Sequence, residues 1–428
     1  DPSLLLWIAG ITLFTALLAG SYPALYLSGF NPASIFRGSS GTMFSARQIR
    51  RGLVVVQFIV SIGLIQGILV IQQQLSYVRN KNLGFEKDAQ LVVPLHTSTS
   101  VERYYNLKQV LQKQPGIRSI GGASCIPGIR NVEDMLFYAE GKTAEEAVHS
   151  YMLWADPSYF PTMQFGLAAG RFFDERQPTD SSGAATAVIS EKLMRSLGYT
   201  PDNVIGKKFY WNWDNQKHAH EIIGVLKDFH ASSLRDEVES QLFLWSSDRP
   251  PSYLVASVRT DNLQPLIAGM RESWEQVNPG EPFDFYFLDE KLQQAYLSDQ
   301  RASGLIFSFT LLALFISCLG LFGLAAFAAE SRTKEIGVRK VLGATATNIV
   351  GLLSKDFIRL VLVALLIASP VAWYFMQRWL QDFHYHIDMP WWAFVAAGVA
   401  AIAVTILTVS WQGIRAAMAS PVQSLRSE

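Results

Sequence analysis

The chain has 428 residues, half of them hydrophobic and 17% charged, and its 36 basic and 36 acidic side chains give a formal net charge of zero. This balance excludes the strong positive charge typical of nucleic-acid binding. Two cysteines, Cys125 and Cys318, are too few for a disulfide framework or a cysteine metal site. The mean hydropathy of +0.18 averages two kinds of sequence, one apolar enough for a membrane and one soluble.

Five apolar runs are each long enough to cross a hydrocarbon core of ~30 Å, which needs about 20 helical residues. In chain order these runs are Leu4–Leu27, Gly52–Ile71, Leu305–Ala329, Phe357–Phe375 and Trp391–Trp411. Their near lack of charge favours membrane helices over buried helices of a soluble core. The sequence therefore predicts an α-helical membrane protein with five transmembrane helices.

The segment that follows the first apolar run resembles the segment that follows the last one. Asn31–Arg37 corresponds to Ser420–Arg426, and the same offset places Leu4–Leu27 opposite Phe394–Ala417. Such a match is typical of an internal repeat. We therefore expect the first helix to be the last span of a preceding unit, and the chain to be the C-terminal part of a longer polypeptide.

Basic residues near span ends indicate the cytoplasmic side of a membrane protein. The loops after the first and third runs are rich in them, with Arg37, Arg47, Arg50, Arg51, Arg332, Lys334, Arg339 and Lys340. The loop between the last two runs has Arg378 alone, flanked by the interfacial residues Trp379, Trp391 and Trp392. The basic loops are therefore predicted to be cytoplasmic, and this last loop and residues 72–300 to lie outside.

Residues 76–300, which we name the outer domain, read as an α+β domain. Short β-rich runs are Gln90–Pro94, Ala187–Ser190, Lys208–Trp213, Glu221–Leu226, Tyr253–Val258 and Phe283–Phe287, and helical runs are Val101–Lys113, Glu191–Leu197 and Leu263–Val277. Two subdomains are conceivable, with a boundary near Ser150 and a return near Val225. Helical patterns at Gln72–Arg79 and Glu290–Arg301 suggest either a stalk of two helices or ordinary extensions of the spans.

No catalytic set is apparent in the outer domain. Gly206-Lys207-Lys208 lacks the other residues of a phosphate-binding loop. His218-Ala219-His220 and His384-Tyr385-His386 lack a third metal ligand, so they are interpreted as solvated loop histidines. Asp228-Phe229-His230 has an acid and a base but no nucleophile, and is interpreted as a polar turn after a strand. The sequence thus predicts no enzyme, no metal and no cofactor of its own.

The cytoplasmic segment Glu330–Thr345 combines basic and acidic residues with ordered glycines. Ser331 or Thr333 can begin a short helix, Val338 and Leu342 share one face, and Gly343 can end it. This pattern predicts an amphipathic helix over residues 331–343 that serves as a docking surface, or more simply a basic membrane anchor.

Small residues in two spans predict close helix packing in the membrane. The candidates are Gly63 with Gly67, and Ala396 with Ala400, the latter pair alongside Ala397 and Ala401.

The segment Glu330–Thr345 resembles the cytoplasmic signature of FtsX/MacB-type ABC transporter permeases, and Pro421–Arg426 resembles their C-terminus. Further segments resemble the MacB-like periplasmic core domain: Asp156–Phe160, Gly170–Phe173, Val188–Glu191 and Ile205–Lys207. The resemblance implies a coupling helix that touches a separate cytoplasmic ABC ATPase dimer, which binds ATP and Mg. On this basis the residues expected to couple to the ATPase are Glu330, Arg332, Lys334, Glu335, Ile336, Gly337, Arg339, Lys340, Leu342, Gly343 and Ala344.

The resemblance also implies how the chain divides. Residues 1–29 would be the last helix of a preceding permease unit, 30–51 a cytoplasmic linker and 52–75 the first helix of the second unit. Residues 76–300 would be the MacB-like outer domain with stalk helices, and 301–428 an FtsX-like membrane domain of three helices. Expected partners are the ATPase dimer, the preceding unit or a second permease, membrane lipids and a periplasmic adaptor, with no nucleic acid.

Two functions follow from this resemblance. The first is a permease of the bacterial inner membrane that couples ATP hydrolysis to efflux or export by mechanotransmission, meaning work done on the periplasmic side. The alternative is an FtsX-like regulatory permease that controls a cell-wall hydrolase or senses an antimicrobial peptide.

The predicted topology can be tested with single cysteines at Ser39 and Ser181 in a background that lacks Cys125 and Cys318. A membrane-impermeant thiol reagent, applied to cells with a permeabilised outer barrier, should label position 181 and leave position 39 unlabelled, because only the former is expected outside. The reverse pattern would invert the orientation and move residues 331–343 away from any cytoplasmic ATPase.

Overall fold

The computed structural model describes residues 2–28, 41–174, 185–214, 216–259, 262–332, 335–336, 338–339 and 342–418. The helices are α1 (Pro2–Ser28), α2 (Gly41–Asn80), α3 (Ser98–Glu102), α4 (Tyr104–Leu111), α5 (Tyr159–Thr162), α6 (Glu191–Ser196), α7 (Leu263–Val277), α8 (Leu288–Gln294), α9 (Leu297–Ser331), α10 (Ala346–Gln381) and α11 (Trp391–Met418). The strands are β1 (Gln90–Pro94), β2 (Ile117–Ala123), β3 (Asp134–Ala139), β4 (Val148–Trp154), β5 (Leu167–Gly170), β6 (Ala185–Ser190), β7 (Lys208–Trp213), β8 (Gln216–Leu226), β9 (Gln241–Leu244), β10 (Tyr253–Val258) and β11 (Tyr286–Phe287).

Three helical segments in the described part of the chain are long and apolar enough to cross a membrane: Arg50–Asn80, Leu297–Ser331 and Trp391–Arg415. They contain three of the predicted spans, which confirms a helical membrane protein. The predicted count of five is not confirmed. The described apolar part of α1 is the shorter segment Leu5–Leu17, and α10, which contains Phe357–Phe375, is not among the three.

The chain divides into two compact units. One comprises Asp1–Ile62, Ala313–Ile367 and Gly398–Glu428, and the other comprises Gly63–Leu312 and Ala368–Ala397. The second unit contains the whole outer domain, together with the segments of α2, α9, α10 and α11 that fall within these bounds.

The first unit is held together by helix contacts that combine small and polar side chains. The hydroxyls of Ser61 and Ser317 lie 3.0 Å apart, joining α2 to α9. Arg332 at the end of α9 forms an ion pair of 2.9 Å with Asp356 of α10. Inside the membrane a polar contact such as Ser61–Ser317 contributes to helix association because lipid gives helices no hydrophobic drive to pack together.

The outer domain contains two sheets. The four-stranded sheet has the order β11-β1-β10-β2 with antiparallel neighbours, and α4 and α7 cover one face through Leu107, Leu111, Met270 and Trp274. The other sheet has the order β5-β8-β6-β9-β4-β3-β7, and an additional pairing of β8 with β7 closes six of its strands into a barrel. The α+β prediction for this domain therefore holds.

The division between the sheets differs from the expected subdomain boundaries. The chain leaves the four-stranded sheet after β2, at Ala123, and returns to it at β10, from Tyr253. The boundaries near Ser150 and Val225 were wrong because β4 and β9 pair in parallel inside the barrel sheet.

His220 lies on β8 of this barrel and is buried, which corrects its interpretation as a solvated loop histidine. Its ring stacks on Phe209 at a centroid distance of 5.5 Å. Burial, with a smaller contribution from His218, lowers the pKa of His220 to about 4. The ring is therefore neutral at pH 7 and acts as a core aromatic side chain.

This burial predicts a loss of stability in acid. The folded pKa lies below the unfolded value of about 6.5, so the unfolded chain binds the proton first as the pH falls. His220 should therefore remove ~2 kcal/mol of stability between pH 7 and pH 5. Urea unfolding of the full chain, followed by tryptophan fluorescence at both pH values, should show this loss in the parent and a smaller one in His220→Phe.

The exposed His149 of β4, which pairs with the exposed Asp134, provides the control. His149→Phe should keep most of the pH dependence of the parent, because His220 is unchanged and an exposed ion pair contributes little to stability. Equal pH dependence in His220→Phe and the parent would contradict the assignment.

Candidate functional site

The predicted coupling helix is described in part. Glu335, Ile336, Val338 and Arg339 have helical conformation, whereas Lys334, Gly337, Lys340 and Val341 lie outside the described residues. The helical turn ends as the sequence indicates. Gly343 has a φ of 89°, and the amide of Ala344 donates to the carbonyl of Arg339 at 2.9 Å. A left-handed glycine with this hydrogen bond is a common helix C-terminus.

The described side chains of this segment show that one of its faces is buried and another is exposed. Ile336 is buried, while Val338 and Leu342 are 50% and 80% exposed. Four residues apart, the last two share one face, which the described part of the chain leaves exposed. Glu335 and Arg339 are paired at 2.8 Å along the exposed surface. The segment thus presents an apolar edge beside charged groups, a composition suited to a protein partner.

The base of the segment is fixed to its own unit. The guanidinium of Arg332 donates to Asp356 at 2.9 Å. Glu330 is exposed at the end of α9. A push on Glu335 or Arg339 would therefore reach α9 through the chain and α10 through this ion pair.

A second arrangement lies at the other end of the helices, where the loop between α10 and α11 meets the outer domain. The amides of His384 and Tyr385 donate to the carbonyls of Arg235 and Leu234, each at 3.1 Å. The guanidinium of Arg235 lies 4.3 Å above the centre of the Phe383 ring. The loop is thus hydrogen-bonded to the domain through main-chain groups.

Both stalk segments join the same place. Gln74 of α2 is fully buried, donates to the carbonyl of Tyr385 at 3.1 Å and accepts from the amide of Ile387 at 2.9 Å. On the other side, the Leu234 amide donates to the Tyr296 hydroxyl at 2.7 Å, and Arg235 pairs with Asp299 of α9 at 2.7 Å. We name this cluster the outer joint: Gln74, Leu234, Arg235, Tyr296, Asp299 and residues 383–387.

The helical pattern predicted at Gln72–Arg79 is confirmed, since α2 continues past Ile71 to Asn80, which fits both a stalk and an ordinary extension of the span. A single helix is predicted likewise for Glu290–Arg301. This second prediction is corrected, because α8 ends at Gln294 and α9 begins at Leu297. The break leaves the Tyr296 ring free to reach the segment at Leu234. The sequence did not identify Gln74, Arg235 and Asp299 as members of this cluster. A signal was available for Gln74 and Asp299, which are polar side chains that lie near the ends of apolar spans.

The predicted packing residues contribute less than others nearby. A Cβ at Gly63 would meet no atom within 4 Å, and one at Gly67 would meet only the Met376 thioether at 3.7 Å. Ala396 and Ala400 are exposed, whereas Ala397 and Ala401 are buried, because one residue turns the face of a helix by about 100°. Among the glycines of α2, α9, α10 and α11, the tightest approaches occur at Gly320, Gly398 and Gly413.

The remaining candidates are structural. Asp228 accepts from the Lys192 amide at 2.7 Å and pairs with Arg195, as expected for a polar turn after β8. The His230 ring packs edge-on against Tyr385 at 4.5 Å, beside the outer joint. Among the described residues, no three His, Cys, Asp or Glu side chains are grouped to hold a metal ion.

Two protein families match the chain. The MacB-like periplasmic core domain matches residues 55–248, and the FtsX-like permease C-terminal family matches residues 307–421. The chain belongs to the FtsX/MacB-type family of ABC transporter permeases. This confirms the resemblance found in the sequence, and with it a membrane protein that carries a periplasmic domain.

Similar proteins include a relative named pyoverdine export ATP-binding/permease protein PvdT, from Pseudomonas entomophila (strain L48). It is 21% identical over 353 residues, which cover 76% of this chain and 51% of the relative, so the chain spans about half of that relative's length. The solved periplasmic region of MacB from Actinobacillus actinomycetemcomitans is 14% identical, with a TM-score of 0.35, and covers 51% of this chain and 97% of that one. A permease domain from Porphyromonas gingivalis is 15% identical, with a TM-score of 0.33, over 47% and 90% of the chains.

The exposed edge of the coupling segment predicts an electrostatic contribution to ATPase binding. Replacing Arg339 and Lys340 by Glu should weaken binding to the partner ATPase by about tenfold or more. The two substitutions would place negative charges where the interface is expected to receive positive ones. Co-purification and ATPase stimulation measure the effect. Reversal of Arg415, an exposed basic residue of α11, is the control and should change neither. Unchanged binding in the double variant would contradict a coupling role.

Proposed function

We propose that this chain is the permease part of an ABC transporter in the bacterial inner membrane. A separate cytoplasmic ATPase dimer would bind ATP and Mg and contact residues 331–343. Five spans would pass its motion to the outer domain, where mechanical work drives export. The preceding unit of the same polypeptide or a second permease would complete the membrane pair, and a periplasmic adaptor would receive the cargo.

The observation that carries this proposal is the outer joint. A flexible tether would dissipate motion, whereas a joint of paired main-chain and side-chain hydrogen bonds passes on displacement. Gln74, buried and bonded twice to the α10–α11 loop, ties that loop to α2. The carbonyl of Arg235 accepts a hydrogen bond from the loop, and its side chain forms an ion pair with α9. The helices α2 and α9 and the α10–α11 loop therefore meet the domain at one place.

Export is preferred over regulation because the relative from Pseudomonas entomophila is named as a pyoverdine exporter. Pyoverdine itself, or a comparable peptide-like molecule, is thus the first cargo to test. Control of a cell-wall hydrolase or sensing of an antimicrobial peptide would use the same joint, and stays the alternative.

The Arg235–Asp299 ion pair provides the test. In the complex with its ATPase, spin labels at Glu145 of the outer domain and Thr347 of α10 should report a distance that changes between ADP and trapped-ATP states. Arg235→Asp or Asp299→Arg should abolish most of this change while hydrolysis continues, because like charges would face each other across the joint. The double variant restores an opposite pair and should recover the change.

Arg195→Asp is the matched control, since Arg195 pairs with Asp228 of the same domain and not with a residue of the outer joint. It should leave the distance change intact. A full ATP-dependent change in both single variants would refute transmission through the outer joint.

A further inference from the structure

A narrow cavity of about 50 Å³ lies where two of the apolar helical segments end. Arg51, at the start of the segment Arg50–Asn80, lines it together with Ser331, at the end of the segment Leu297–Ser331. The ends of membrane-spanning segments lie at the depth of the lipid headgroups, where a bilayer presents its phosphates. The volume has room for roughly four water-sized atoms, which is the size of one phosphate group.

The charged residues that line this cavity are two arginines and one aspartate. Arg332 forms an ion pair of 2.9 Å with Asp356, so this carboxylate already has its countercharge. Arg51 is exposed, and among the described residues it has no acidic partner. Glu330, the nearest acid along α9, is exposed and lies outside the lining. The cavity therefore has one positive charge in excess.

Apolar side chains form most of the remaining lining. Phe327 is 44% exposed, and the guanidinium of Arg50 lies 5.1 Å from the centre of its ring. Leu324 lies two turns before the end of α9, and Leu360 lies one turn beyond Asp356 in α10. An acyl chain thus has apolar surface to lie against, next to a phosphate held between the arginines.

We propose that this cavity binds the phosphate of an anionic phospholipid, with Arg51 and Arg332 as donors and the acyl chains against the apolar lining. Arginine suits this role because its planar guanidinium can donate two parallel hydrogen bonds to phosphate oxygens. Phosphatidylglycerol, with one net negative charge, matches the single excess positive charge, whereas phosphatidylcholine brings a cation of its own. The bound lipid lies beside the Arg332–Asp356 pair at the base of the coupling segment. Its binding does not depend on the proposed function.

Native mass spectrometry of the full chain in detergent counts bound lipids directly and gives an affinity for each binding step. The parent should bind its first phosphatidylglycerol about fivefold more tightly than phosphatidylcholine, and Arg51→Gln should remove this preference, since each basic residue near an anionic headgroup contributes to binding on this scale. Asp356→Asn should instead strengthen phosphatidylglycerol binding, because the Arg332 guanidinium then has no carboxylate to neutralise it.

Arg359→Gln is the matched control, since Arg359 is an exposed arginine of α10 that does not line the cavity. It should bind phosphatidylglycerol like the parent. Thermal unfolding identifies a variant that misfolds, and Asp356→Asn then decides the question because misfolding does not produce a gain of affinity. In the same unfolding measurement phosphatidylglycerol should stabilise the parent more than Arg51→Gln, whereas inorganic phosphate, which lacks acyl chains, should not stabilise either.

Three results would overturn the proposal. One is equal affinity of the parent for the two lipids, and another is parental phosphatidylglycerol binding in both Arg51→Gln and Asp356→Asn, or an equal loss in Arg359→Gln. The third is stabilisation by inorganic phosphate that Arg51→Gln abolishes, which would identify a site for soluble phosphate instead of a lipid.

Discussion

Asp156 is the side chain on which the rigidity of the outer domain depends. Its carboxylate is buried and accepts from the Tyr104 hydroxyl and the Lys108 ammonium, both at 2.6 Å, and from the Gly122 amide at 3.3 Å. The donors belong to the four-stranded sheet and its helix α4, while Asp156 follows β4 of the barrel sheet. A buried pair adds little net stability, but breaking it leaves an uncompensated charge, so it specifies one arrangement of the two sheets.

The close approach that this arrangement needs is provided by two glycines of β2. A Cβ at Gly121 would lie 2.4 Å from the Tyr159 Cα, and one at Gly122 would lie 2.6 Å from the Tyr104 hydroxyl oxygen. Tyr159 and Phe160 then pack into the aromatic core between the sheets, with Phe165 and Phe243. Under the proposed function, a domain fixed in this way would move as one body, and displacement at the outer joint would reach its far end.

The sequence predicted β1, β6, β7, β8, β10 and β11 in whole or in part, and missed β2, β3, β4, β5 and β9. β1, β7 and β10 were predicted to the residue, and α7 likewise. β2 was missed because its paired glycines weaken a strand pattern, and β5 and β9 because they have four residues each. The strand predicted over Phe283–Phe287 is shorter in the structure. Its last two residues, Tyr286 and Phe287, are those that pair with β1. Parallel pairing of β4 and β9 is set by tertiary structure, which no local pattern contains.

The short helix predicted over residues 331–343 could be located from sequence because its pattern is local, whereas the outer joint could not. Leu234 and Tyr385 bond through main-chain groups, which any residues could provide, and they meet only after folding. The break before α9 could not be predicted from local sequence either. It is needed for the contact, because in a continuous helix Tyr296 would not reach Leu234. Under the proposed function, the interrupted helix, bonded to the domain by Tyr296 before the break and Asp299 after it, would pass force to the domain. Transmission would then depend on where the helices are fixed, and a stalk continuous along its whole length would not be required.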